Sequence, residues 1–233
     1  MSLTQPPALD EPALDEPSLL EAVVKPRLRG WLHAGASPLV LAAGIVLICL
    51  APAGYARWSA VAYTATALLL FVTSAIYHRG TWSPRMATLL KRFDHSNVYL
   101  LIAGSYTPVV VVGLPEPQST FLLWLIWSGA LLGVFFRCVW TSAPRALYTA
   151  LYIVLGWCLA PVLGTLGHQA GAAVLALVVT GGGLYTLGAV VYATKRPNPS
   201  PSWFGFHEVF HALTLAAWTV QYVAIALLLL RLR

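Results

Sequence analysis

Apolar residues recur along most of the chain in runs of about 20, the length at which a helix crosses roughly 30 Å of hydrocarbon. Seven such runs are expected, with approximate limits 36–55, 58–78, 95–114, 119–140, 146–166, 171–193 and 204–230. The polar breaks between them are short, so consecutive spans should lie antiparallel as neighbours. The pattern therefore predicts an all-α fold, a seven-transmembrane-helix bundle over 36–230. Gly104 and Pro108 in the third run and the glycines at 181–183 in the sixth invite close helix approach or a local kink.

Ahead of the first run the pattern changes twice. Residues 8–17 read ALDEPALDEP, a repeated unit rich in acid and proline with no apolar face to bury, so 1–17 is expected to be a disordered acidic tail. It lacks the basic and apolar regions of a signal peptide. Residues 18–35 form a basic juxtamembrane segment. There SLLEAVVKPRLRGW (18–31) combines an apolar stripe with Lys25, Arg27 and Arg29, which suits either a short helix in the headgroup layer or a plain basic flank.

Composition sharpens this picture. The chain is 58% hydrophobic and only 9% charged, with a mean hydropathy of +0.74, whereas roughly a quarter of the residues of a soluble domain carry charge. This composition is that of a multi-pass membrane protein, expected in the plasma (inner) membrane among membrane lipids. Cys49, Cys138 and Cys158 lie in apolar runs without CxxC spacing and read as lipid-facing or packing residues. No nucleotide-binding glycine loop or nucleic-acid patch is present, and the net charge of +6 is better explained by topology and anionic lipid. With the N-terminus cytoplasmic and the C-terminus outside, Lys25, Arg27, Arg29, Arg79, Arg85, Lys91, Arg92, Arg137, Arg145, Lys195 and Arg196 fall inside, against Arg57, Arg231 and Arg233 outside. The closing LRLR pulls the other way.

Acid is concentrated in the first 21 residues, which leaves Asp94, Glu116 and Glu208 as the only acids in the rest of the chain. Two of these three lie beside histidines at the inner ends of spans. Ser74 and His78 share a helix face at the end of the second span, Asp94 and His95 open the third, and His207, Glu208 and His211 occupy the first two turns of the seventh. Ionisable groups are costly in a membrane, so their convergence at one depth marks a site. His207 and His211, one turn apart, can present two imidazoles to one ion and His78 a third, the pattern of an open Zn²⁺ site. Asp94 could accept a hydrogen bond from the metal's water, whose pKa zinc lowers from 15.7 to about 7. Singly, each residue has another reading: an interfacial histidine, an N-cap for Asp94, a bond from Ser74 to its own helix.

The remaining polar residues read as peripheral. His33 is expected at the interface, with a place near the site as the alternative; His95 turns about 100° from Asp94 and makes a poor fourth ligand, His168 sits in an outer loop, and Arg137 snorkels from the end of the fourth span. HEVFH (207–211) also matches the HExxH of zinc proteases, in which the glutamate is the base. Glu208 can equally pair with Lys195 or Arg196 before it, and no separate motif supplies a protease's third ligand.

SAIYHRGTWSP (74–84), FDHSNVYLLIAGSYTPVVV (93–111) and WFGFHEVFHALT (203–214) resemble the hemolysin III family of seven-span membrane proteins, related to the progestin and adipoQ receptors. The resemblance covers roughly 25–230 and includes KPRLRGWLH before the first span. It implies zinc ligation by His78, His207 and His211, with Asp94 holding the zinc water as general base and Ser74 close by. A further likeness to membrane ceramidases implies zinc-dependent hydrolysis of a lipid amide that enters laterally from the cytoplasmic leaflet. Two other functions stand beside it: a pore-forming, cytolytic protein, as the family name suggests, and a membrane sensor in which zinc is structural.

Overall fold

A computed structural model of the chain describes residues 25–233; the acidic tail expected at 1–17 and the start of the juxtamembrane segment lie outside the described residues. Eight α-helices follow: α1 (Trp31–Leu50), α2 (Tyr55–Arg79), α3 (Pro84–Gly113), α4 (Gln118–Val139), α5 (Arg145–Gly156), α6 (Leu163–Ala170), α7 (Ala172–Thr194) and α8 (Phe206–Leu230). A 3₁₀ turn at Ala160–Val162 joins α5 to α6, and together they make the fifth of seven spans long and apolar enough to cross a membrane. The bundle is all-helical, as the periodicity predicts. Large apolar side chains such as Leu39, Ile45, Phe121, Trp124, Leu132 and Phe135 stand exposed on its outside, where hydrocarbon is their solvent.

Consecutive spans pack side by side, and α8 closes the ring against α1. The third helix runs through the middle, touching α2, α4, α5, α6 and α8, and is the most buried of the seven spans. Gly104 makes this possible, because a Cβ there would lie 1.8 Å from Thr66 Oγ1 of α2. Of the glycines at 181–183 in the sixth span Gly181 is pressed by a neighbour, Gln221 of α8, while Gly183 faces open space.

Boundaries differ from expectation in three spans, the first of which runs Trp31–Leu50, about five residues ahead of 36–55 and beginning inside the segment expected to be juxtamembrane. The third helix starts at Pro84 rather than near 95, with Ser83 as N-cap accepting from the Met86 amide and proline in the first turn. Its first three turns carry Arg85, Lys91 and Arg92 among apolar residues, so a hydropathy pattern stops short of them. Asp94 is therefore inside the helix and is not its cap. The fifth span breaks after Gly156, where Pro161 supplies no amide. Tyr106 of α3 closes the break, donating to the Gly156 carbonyl (2.8 Å) and accepting from the Leu159 amide (2.9 Å).

Candidate metal centre

The last turn of α2 and the first two turns of α8 meet at one end of the bundle. His78 stands on the first, His207 and His211 on the second, and one ring nitrogen from each lies within 4.8 Å of the other two. All three histidines are buried. The His78 and His207 Nε2 atoms are 3.1 Å apart. Two imidazoles on a tetrahedral zinc with bonds of about 2.0–2.1 Å would place their nitrogens about 3.3–3.4 Å apart. His211 Nδ1 is buried without a partner. Three imidazoles with no thiolate are a donor set that fits a borderline metal ion such as zinc or copper.

The local backbone explains how these rings come together. Gly30 caps α1 at φ +80°, and a Cβ there would lie 2.7 Å from the His78 Cβ, so only glycine lets the chain ahead of α1 press on the end of α2. That chain is tied to the entry of α8: the Arg27 amide donates to the Ser202 carbonyl (3.0 Å) and the Leu28 amide to that of Trp203 (3.2 Å). Arg29 forms an ion pair with Glu208. The other oxygen of Glu208 accepts from the Gly205 amide at 2.8 Å, closing the first turn of α8. Glu208 thus turns away from the imidazoles, and the base it meets comes from ahead of α1, a partner absent from the sequence reading. Lys25 sits among these cations; partial burial first, and then Arg29 and Arg79, hold its ammonium pKa below the usual value.

Asp94 approaches from α3, its Oδ2 3.6 Å from His78 Nε2. Ser74 Oγ, one turn before His78, is buried with no partner and does not bond its own helix. His33 overturns the interfacial expectation. Only 2% exposed, it stacks face to face on His211 (centroids 3.8 Å, planes 6° apart) and edge-on to Phe71. Its signal in the sequence was position alone, since it lies at the same inner end as the other histidines.

His95 points elsewhere, as its position beside Asp94 predicts, and its Nδ1 is 2.8 Å from Arg137 Nη2. Arg137 does not snorkel: it is 1% exposed, donates to the Trp140 carbonyl at 3.3 Å and lies over the Tyr148 ring. A pocket of polar and aromatic side chains from other spans replaced the water that snorkelling would have sought. His168 is exposed in the last turn of α6 rather than in a loop. All three cysteines are free, with Cys49 and Cys138 facing outward.

A cavity of about 140 Å³ starts at the cluster. Ser74, Asp94, His33, His207 and His211 line one end, and its walls continue along Val98 and Ile102 of α3, Tyr152 and Trp157 of the fifth span and Tyr185 of α7. The loosely packed fifth span leaves this space between α3, α7 and α8.

A family described as Haemolysin-III related matches residues 22–222. The chain is 29% identical over 188 residues to "Hemolysin-3 homolog" of Bacillus subtilis (strain 168), covering 78% of this chain and 88% of that one. It is 27% identical over 163 residues to "Hemolysin-3" of Bacillus cereus, covering 70% and 71%. To "Progestin and adipoQ receptor-like protein 1" of Caenorhabditis elegans it is 24% identical over 184 residues, covering 70% of this chain and 42% of that protein.

Proposed function

Because this chain belongs to the haemolysin-III-related family, we propose that its histidine triad is a zinc site near the cytoplasmic face and that it hydrolyses a lipid amide. The observation that carries this reading is the meeting of His78, His207 and His211 in a buried pocket with a carboxylate beside them. Three imidazoles suit zinc and leave a fourth position for substrate, and the scarcity of nearby carboxylates argues against calcium or magnesium. Zinc bound there would act as a Lewis acid on a substrate carbonyl.

The chain's own groups then have defined tasks. Asp94 takes a proton from the attacking water on a carboxylate oxygen, and the water oxygen bonds to the carbonyl carbon. As the C–N bond breaks, Asp94 returns that proton to the departing nitrogen, so the products are a carboxylic acid and an amine. Ser74, whose hydroxyl has no protein partner, donates to the carbonyl oxygen. Glu208, engaged by Arg29 and the Gly205 amide, takes no part, which favours this reading over a protease. The apolar walls of the cavity receive an acyl chain. The bias of Lys and Arg toward this end supports placing it in the cytoplasm, with substrate entering from that leaflet.

The test is metal content of detergent-purified protein, wild type beside His78→Ala and His207→Ala, each checked for folding. About one zinc in the wild type, lost in both variants, is expected. A folded wild type with less than about half an equivalent would sink the proposal.

A further inference from the structure

Beside the histidine triad the cavity has a second polar wall of His95 of α3, Tyr148 of α5 and Tyr192 of α7, and Arg137 of α4 backs it in one connected group. Arg137 is buried, and no carboxylate among the described residues lies within 4 Å of it. Its Nη2 is 2.8 Å from His95 Nδ1. A guanidinium has donors only and keeps its charge at any pH a protein survives. The nitrogen it faces must therefore be the acceptor, which fixes His95 as neutral with its proton on Nε2.

That proton has a poor partner inside the protein. The nearest is the Tyr192 hydroxyl at 3.5 Å, beyond the usual range of a hydrogen bond. Tyr192 and Tyr148 share one bond at 3.1 Å in which either can donate. Whichever way it runs, one phenolic proton has no acceptor in the group, and Arg137 Nε is likewise unpartnered. The group thus has more donors than acceptors. His95, Tyr148 and Tyr192 all line the cavity that His207 and His211 also line.

We propose that His95 contacts the cavity's ligand, its Nε2–H donating to an oxygen of the ligand's polar head, and that Arg137 is the positioning residue that fixes this tautomer. The inference deepens the hydrolase reading by adding a specificity contact on the wall that Asp94 and the triad do not use. It takes from that reading only that a lipid head enters the cavity. Oxygen-rich heads are selected, and heads that present only donors on this side are rejected.

Histidine side-chain ¹⁵N spectra of the full chain in detergent test the tautomer, with the His95 signals identified by their loss in His95→Gln. A neutral Nε2–H tautomer is expected in the wild type, with a mixture in Arg137→Met. An Nδ1–H form or an imidazolium at neutral pH would overturn the assignment, and this measurement needs no destabilised variant.

Binding of N-(2-hydroxyethyl)dodecanamide, a single-chain probe whose hydroxyl oxygen is an acceptor apart from the amide carbonyl, tests the contact. His95→Phe and Arg137→Met should bind it about tenfold more weakly, the worth of one hydrogen bond. His95→Gln should recover most of the loss, because its carboxamide can accept from Arg137 and still donate into the cavity. Binding by a folded His95→Phe equal to the wild type would overturn the proposal. If zinc were absent while the tautomer and the binding differences held, the hydrolase reading would fall and this contact would stand.

Discussion

Arginines at the two ends of the bundle are used differently. At the end away from the histidines, Arg57 donates twice to the Ala51 carbonyl (3.2 and 3.0 Å), Arg231 to Ala170, and Arg233 to Leu50 (2.8 Å) and Cys49 (3.3 Å). These carbonyls belong to helix ends or lie just beyond them, where no amide follows in register and water could serve as well. At the histidine end Arg29 engages Glu208, Arg137 engages His95, and Arg27 and Arg79 lie over Trp203 and Trp31. The acids divide in the same way. Glu116, in the far loop, is fully exposed and is held below the usual carboxyl range by hydrogen bonds from Thr120 and then Ser119, whereas Glu208 is buried. A cation that finishes a helix is replaceable by solvent, but one that orients a side chain carries geometry no water can supply.

This contrast can be broken most sharply at Asp94. Asp94→Asn should leave metal content and melting temperature near wild type and slow lipid-amide hydrolysis by about 10²–10⁴-fold, the range for losing a positioned base. Turnover within a few-fold of wild type would remove Asp94 from the chemistry. Glu208→Gln should lower stability by about 1–3 kcal/mol, since it weakens a buried ion pair while the Gly205 contact can persist. Equilibrium denaturation measures that loss, and unchanged zinc content and hydrolysis are expected alongside it; abolished hydrolysis in a folded, metal-loaded variant would bring back the protease reading of HEVFH. At the far end, Arg57→Ala should cost about 1 kcal/mol or less and leave the metal untouched. A loss of zinc there would show that the two ends are coupled.

Much of this was legible in the sequence, for identifiable reasons. The seven spans follow from length and hydropathy, properties each segment carries alone. The grouping of His78, Asp94, His207 and His211 follows from alternation of direction, which fixes which helix ends share a depth. What escaped depends on partners distant in sequence. The start of α3 was hidden because Arg85, Lys91 and Arg92 interrupt its first turns, which begin on a serine cap. Arg137 read as snorkelling because Tyr148 and His95, which house it, come from other spans. His33 has no motif around it, and only packing against His211 and Phe71 draws it inside.

The ion pair between Arg29 and Glu208 joins residues 179 positions apart. A ribosome reaches Glu208 only after six spans have been made, so the Arg29 guanidinium waits without its carboxylate through most of synthesis. The same seventh span brings two of the three imidazoles. Tether and triad are therefore completed by one late event, and a chain halted before that span would hold the Arg29 guanidinium without Glu208 and His78 without the two imidazoles it meets in the finished protein.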